Sequence, residues 1–153
     1  MIPKMTPDPM LQALDQARGA AERGEVPIGA VVVGPNGDVV AQAANRTEVD
    51  RDPTAHAEIL ALRAAAVRLG NPRLPDCELF VTLEPCPMCA HAISLFRIRR
   101  LVFGAYDPKG GGVEHGVRVF DAASCHHHPD IIGGIRETEA AALLRDFFRA
   151  KRR

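Results

Sequence analysis

Cys86 and Cys89 stand three residues apart, and on a helix residues so spaced share one face. Such a pair offers two soft thiolates, which suits zinc or a redox disulfide. The apolar run 79–83 before them reads as a buried strand and the run 90–96 after them as a helix. The cysteines therefore sit at a strand-to-helix junction, where unpaired N–H groups and the helix dipole favour thiolates. His56 and Glu58 add an imidazole and a carboxyl at the start of another helix, with Thr54 as the expected N-cap and Ile59, Leu60 and Leu62 continuing the apolar pattern. Two residues apart is roughly 200° around a regular helix, so mid-helix the two side chains would not face one target. In the first turn both can reach past the helix end. Two helix starts aimed at one spot would bring His56, Cys86 and Cys89 together. Three protein ligands leave one zinc position open, the pattern of a catalytic rather than a structural site.

The elements that must position these residues follow in chain order. Thr6 and Pro7 read as a helix start, followed by a stripe of Met10, Leu11, Leu14, Ala17, Ala20 and Ala21 that Gly24 closes. Residues 28–33 form a continuous apolar strand, as expected of one covered on both faces. The turn at 35–38 returns residues 39–41 as a hairpin partner. A polar loop, 45–53, leads into the His56 helix, which runs to about Leu69 and stops at Gly70-Asn71-Pro72. The third strand is 79–83 and the fourth 100–104. Residues 107–112 read as a flexible glycine-rich loop, Ile131 and Ile132 as a short fifth strand, and 137–152 as a last helix with Ala141, Leu144, Phe147 and Phe148 apolar. A hairpin followed by strand–helix alternation argues a mixed sheet with helices on both faces, in one α/β domain over residues 1–153.

Composition sets bounds on what this domain does. The chain has 153 residues, 46% hydrophobic and 25% charged, enough for one compact core. Formal net charge is zero, so nucleic-acid binding would need a local basic patch. Two such patches stand out: Arg145, Arg149, Lys151, Arg152 and Arg153, and Arg97, Arg99 and Arg100. Cys77 and Cys125 complete a set of four cysteines with no disulfide-like spacing, which fits a reducing cytoplasm. The first residues lack the apolar core of a signal peptide, and no apolar run is long enough to span a membrane.

His-x-Glu followed at a distance by Pro-Cys-x-x-Cys is similar to the signature of the zinc-dependent nucleobase deaminases. Glu25-Val26-Pro27-Ile28-Gly29-Ala30-Val31, Asn45-Arg46, Asp52-Pro53-Thr54-Ala55, Val81-Thr82-Leu83-Glu84 and Leu144-Arg145-Asp146-Phe147-Phe148-Arg149 narrow the likeness. Together they resemble TadA-type tRNA adenosine deaminases, within the cytidine/deoxycytidylate deaminase superfamily, from about Glu25 to Arg149. The resemblance implies a three-layer α/β/α cytidine-deaminase-like fold on a five-stranded mixed sheet. It implies one zinc per subunit on His56, Cys86 and Cys89, and Glu58 as general acid and base. It further implies substrate contacts from Val26, Asn45, Ala57, Asp107, Phe148 and Arg149. The expected reaction turns the wobble adenosine of an anticodon loop into inosine by attack of a zinc-activated hydroxide. The expected assembly is a homodimer whose subunits both touch the RNA, with Ile93-Ser94-Leu95-Phe96 as contact surface.

The chain departs from the resemblance in three places. Tyr106 stands where an arginine is expected, the loop 107–116 is richer in glycine, and Cys125-His126-His127-His128-Pro129-Asp130 replaces an Asn-His-Arg run. With zero net charge these motivate a second reading, a deaminase of free bases or nucleosides such as cytosine, guanine or cytidine. A third reading, a non-catalytic RNA-binding scaffold, leaves the proton shuttle Glu58 without a purpose.

Overall fold

The computed structural model describes residues 8–152. In order they form α1 (Pro9–Glu22), β1 (Gly29–Val33), β2 (Val39–Ala44), α2 (Ala57–Leu69), β3 (Glu78–Leu83), α3 (Pro87–Leu95), β4 (Arg100–Ala105), a 3-10 turn (Val119–Asp121), β5 (Asp130–Ile132) and α4 (Glu137–Lys151). The strands lie in the order β2-β1-β3-β4-β5. β1 runs antiparallel to both β2 and β3, and β3, β4 and β5 run parallel to one another. This is the five-stranded mixed sheet expected from the sequence.

Period-two alternation explains the layers. On β1, Ala30 and Val32 face one way and pack with Ala61 and Leu62 of α2 and Ile93 of α3. Val31 and Val33 face the other way, toward Met10, Ala13 and Leu14 of α1 and Ala140 of α4. β4 repeats the division, with Leu101 and Phe103 on the first side and Val102 on the second, while Ala105 at the strand end joins the second cluster out of step with the alternation. A strand covered on both faces needs apolar residues at every position, which is why β1 carries an unbroken run. Gly29 allows α1 to lie against β1, since a Cβ there would collide with the Ala13 carbonyl oxygen.

Four expectations need correction. The α1 cap is Asp8, whose carboxylate accepts from the Met10 N–H at 2.9 Å. Thr6 and Pro7, the expected start, lie outside the described residues. Thr54 does not cap α2, because its N–H and hydroxyl donate to the Asp52 carboxylate at 2.8 and 2.7 Å. His56 holds the N-cap position instead. On α4 the core-facing residues are Ala140 and Leu143, one position off the expected stripe, while Ala141 is exposed and Leu144 and Phe147 are half-buried. The loop 107–112 is held rather than loose: the Asp107 N–H donates to Glu84, the Gly110 and Gly111 N–H groups to Asp107, and the Gly112 N–H to the Pro85 carbonyl.

Candidate active site

His56 and Cys86 occupy equivalent places: each is the N-cap of its helix, with an extended backbone (φ −76°, ψ 149° and φ −70°, ψ 170°). The extended cap conformation removes the angular conflict between His56 and Glu58, because His56 is not yet on the helix. Cys89 lies one turn into α3 and is fully buried. The His56 Nδ1 is 3.6 Å from the Cys86 Sγ and 3.4 Å from the Cys89 Sγ. Zn–S bonds of ~2.3 Å and a Zn–N bond of ~2.05 Å in a tetrahedron give N···S edges of roughly 3.6 Å. The three atoms therefore sit as three corners of a zinc site, and two thiolates with one imidazole are a donor set zinc favours. Among the described residues no other His, Cys, Asp and Glu group gathers in this way.

The three groups are electrostatically coupled. Cys86 is held down to about 4, chiefly by its contact with the Cys89 thiol and further by His56. Cys89 is pushed far up by the same contact and by burial. Both would be thiolates with a divalent ion bound. His56 is raised, first by its contact with Cys86. Glu58 is buried beside them, and burial raises its carboxyl above the usual 4.5. A carboxyl whose proton affinity burial raises in this way is the kind of group that acid–base catalysis uses.

These groups open into a cleft of about 200 Å³ lined by Ile28, His56, Glu58, Leu83, Glu84, Cys86, Asp107 and Gly110. Asn45, at the end of β2, is buried, and its Oδ1 accepts from the Ala57 N–H at 2.9 Å. It thus pairs the first free N–H of α2, and the amide NH2 is left as the opposite end. Ala57 has its side chain fully buried in the core. Val26 is half-buried beside Glu25. Asp107 lines the cleft, while its Oδ1 accepts from the Lys109 and Gly110 N–H groups. Phe148 and Arg149 are exposed on α4 and are not among the residues lining this cleft.

Two buried carboxylates that sequence reasoning passed over frame the site. Glu84 ends β3 and accepts from the backbone N–H groups of Asp107, Val113, Glu114 and His115 and from the His115 ring, at 2.8–3.2 Å. Glu25 accepts from the Glu48 and Val49 N–H groups at 3.0 Å and from the Thr47 hydroxyl. Burial alone would raise both carboxyls, but these donors outweigh it and hold both below 4.5. An acid joined directly to an apolar strand, as in Leu83-Glu84-Pro85, was the available signal for one of them.

Among the described residues, Cys125 and the histidines 126–128 do not gather as a metal-binding group. Cys125 contacts the Ser94 hydroxyl, the His127 Nε2 bonds the Ile98 carbonyl at 2.7 Å and His128 turns to the Pro129 carbonyl. The segment is tied down by hydrogen bonds to α3 and the turn before β4. Cys77 is a buried core residue. Of the two basic clusters, Arg99 and Arg100 are drawn onto Glu78, at 2.6 and 3.7 Å. Arg149, Lys151 and Arg152 on α4 remain exposed.

Residues 5–105 match the family described as "Cytidine and deoxycytidylate deaminase zinc-binding region". Over 140 residues, 92% of this chain and 91% of the relative, the sequence is 59% identical to the tRNA-specific adenosine deaminase of Agrobacterium fabrum. A structure from studies of A-to-I editing by tRNA:A34 deaminases at the wobble position of transfer RNA superposes with a TM-score of 0.86. It is 56% identical, over 88% of this chain and 98% of that one. A guanine deaminase from Nitrosomonas europaea shares the fold more distantly, with a TM-score of 0.74 and 27% identity over 91% of this chain and 82% of that one.

Proposed function

We propose that this chain, which belongs to the cytidine and deoxycytidylate deaminase family of zinc-binding enzymes, converts the wobble adenosine of a tRNA anticodon loop to inosine. The observation that carries this reading is the convergence of His56, Cys86 and Cys89 beside the buried Glu58 in an open cleft. The 59% identical relative supplies the substrate.

His56, Cys86 and Cys89 would hold the zinc. Bound there, zinc supplies a Lewis acid that makes water a nucleophile near neutral pH. Glu58 takes the proton that water gives up and passes it to the purine ring nitrogen. It then serves the departing amine, so that water and the C6 amine become a C6 carbonyl and ammonia. Asn45, its Oδ1 fixed on α2, presents its NH2 to the nucleoside, with Val26 packing on the base. Asp107 meets the neighbouring nucleotide. An anticodon loop is already single-stranded, so drawing one base into the cleft costs less than it would from a duplex.

Exposed Phe148 and Arg149 suit an unpaired base and a phosphate, and Lys151 and Arg152 extend the basic face. For assembly the reading takes a homodimer through α3. The expected contact surface shifts within that helix: Ile93 and Ser94 are buried in their own core, whereas Met88, His91 and Leu95 line the outer face. Among the described residues no helix is long and apolar enough to cross a membrane. A tRNA substrate places the enzyme in the cytoplasm on this reading.

The fold shared with a guanine deaminase supports a second reading, a free-base substrate. Ammonia release from guanine, cytosine and cytidine, set against release from a wobble-adenosine stem-loop, separates the two. The first reading expects the stem-loop to be preferred by orders of magnitude. Comparable or faster release from a free base would overturn it.

A further inference from the structure

Glu84 stands two residues before Cys86, so one short stretch both carries a metal-site residue and fixes the cleft wall. Its side chain has no exposed surface. Its Oε1 accepts from the Asp107 N–H at 3.0 Å and from the His115 Nδ1 at 2.8 Å. Its Oε2 accepts from the N–H groups of Val113, Glu114 and His115 at 3.2, 2.9 and 3.1 Å. Because a carboxylate only accepts, the His115 proton sits on Nδ1. The glycines fit this arrangement. A Cβ on Gly111 would meet the Glu84 carboxylate and one on Gly112 the Pro87 backbone, while the Gly112 N–H donates to the Pro85 carbonyl at 2.8 Å. The glycine-rich stretch is thus a close-packed belt around one carboxylate. Tyr106 supports it from the side, edge-on to both Phe103 and His115 at 5.1 and 6.0 Å between ring centres.

We propose that Glu84 is a positioning residue of the reaction: through His115 and the 107–115 backbone it sets where Asp107 stands relative to the zinc-binding residues, and hence how the nucleotide beside the target is gripped. A buried carboxylate is a poor way to gain stability when an apolar side chain could fill the space. With all its partners in place it specifies one loop conformation. Tyr106, at the position where the resemblance expects an arginine, belongs to this support. The inference rests on the tRNA reading above for its substrate.

The test uses the zinc-loaded full chain with three variants, His115→Ala, His115→Asn and Glu84→Gln. Zinc content, KM and kcat on a wobble-adenosine stem-loop, and hydrogen exchange at the amides of residues 107, 113, 114 and 115 are measured. Losing one charge-assisted bond in His115→Ala is expected to raise KM about tenfold with kcat changed less than about threefold. His115→Asn, which keeps a donor at the Nδ1 position, restores most of the loss. Glu84→Gln faces N–H donors with an NH2 group, so kcat/KM falls about a hundredfold and the four amides lose protection while zinc is retained. Should Glu84→Gln fail to fold, the His115 pair decides. An unchanged KM in His115→Ala, a failure of His115→Asn to restore it, or activity lost only in step with zinc would overturn the proposal. If the wild-type chain makes no inosine, the substrate reading has failed on its own. Exchange then judges the loop: protection lost in Glu84→Gln supports positioning, and equal protection overturns it.

Discussion

Glu58 and His56 divide their work by one residue of helix. His56 is extended at the cap and Glu58 is already helical, so both reach one point although mid-helix they would diverge. The gathering of His56, Cys86 and Cys89 was legible in the sequence from residue type and spacing, whereas the acid–base role proposed for Glu58 came with the resemblance. The resemblance gave Asn45 a substrate contact, while its bond to the Ala57 N–H was not legible, since it joins residues in two different elements. Two predictions belong here. Glu58→Gln keeps a side chain of the same shape and all three zinc-binding residues, so zinc content should stay at one per chain while kcat falls about a thousandfold. Retained zinc with undiminished turnover would remove Glu58 from the mechanism. Asn45 has two ends with two tasks. Asn45→Asp keeps the acceptor for Ala57 and loses the NH2, so thermal stability should hold while kcat/KM collapses. Asn45→Ala leaves a buried N–H unpaired and should in addition lose about 1–2 kcal/mol of stability. Equal melting temperatures for the two variants would contradict the capping role.

The elements were read more successfully than the loops between them. Alternation on β1 and β4 and the glycine stop of α2 fix strands and helices locally, whereas the paths of 45–56 and 106–130 depend on distant partners. Glu25 organises the first of these loops and Glu84 the second, over sequence separations that no local pattern reveals. For the same reason the glycines at 110–112 read as flexibility and prove to be close packing. Both carboxyls lie below 4.5 in the folded chain, so on acidification the unfolded chain takes up their protons first. Their stabilisation is complete above the unfolded value of about 4.5 and is lost as pH falls through the lower folded values. Glu25→Gln should therefore lose about 1.5–3 kcal/mol at pH 7 and show a shallower decline of melting temperature below pH 4.5 than the wild type. Parallel pH profiles for the two proteins would show that Glu25 carries no such linkage.

At the scale of the molecule, net charge is zero and the basic charge proposed to meet the RNA is local, on α4. In the last turns of α4 Phe147 and Phe148 stand edge to face, with the Lys151 ammonium 5.0 Å from the Phe147 ring centre. The proposed dimer contact is the outer stripe of α3. Leu95 is 63% exposed, and Leu95→Glu places a charge in the proposed dimer contact. Sedimentation should show a dimer for the wild type and a monomer for Leu95→Glu, with RNA affinity reduced. A wild-type monomer at micromolar concentration would contradict the dimer. The central claim, that this zinc-binding cleft turns a wobble adenosine into inosine, is tested most directly by the product itself. Zinc-loaded protein is incubated with an anticodon stem-loop carrying adenosine at the wobble position, and the digested RNA is analysed by mass spectrometry beside Glu58→Ala. The account predicts inosine at that one position with the intact protein and none with the variant. Unchanged adenosine with folded, zinc-loaded protein, or inosine formed equally well by the variant, would contradict it.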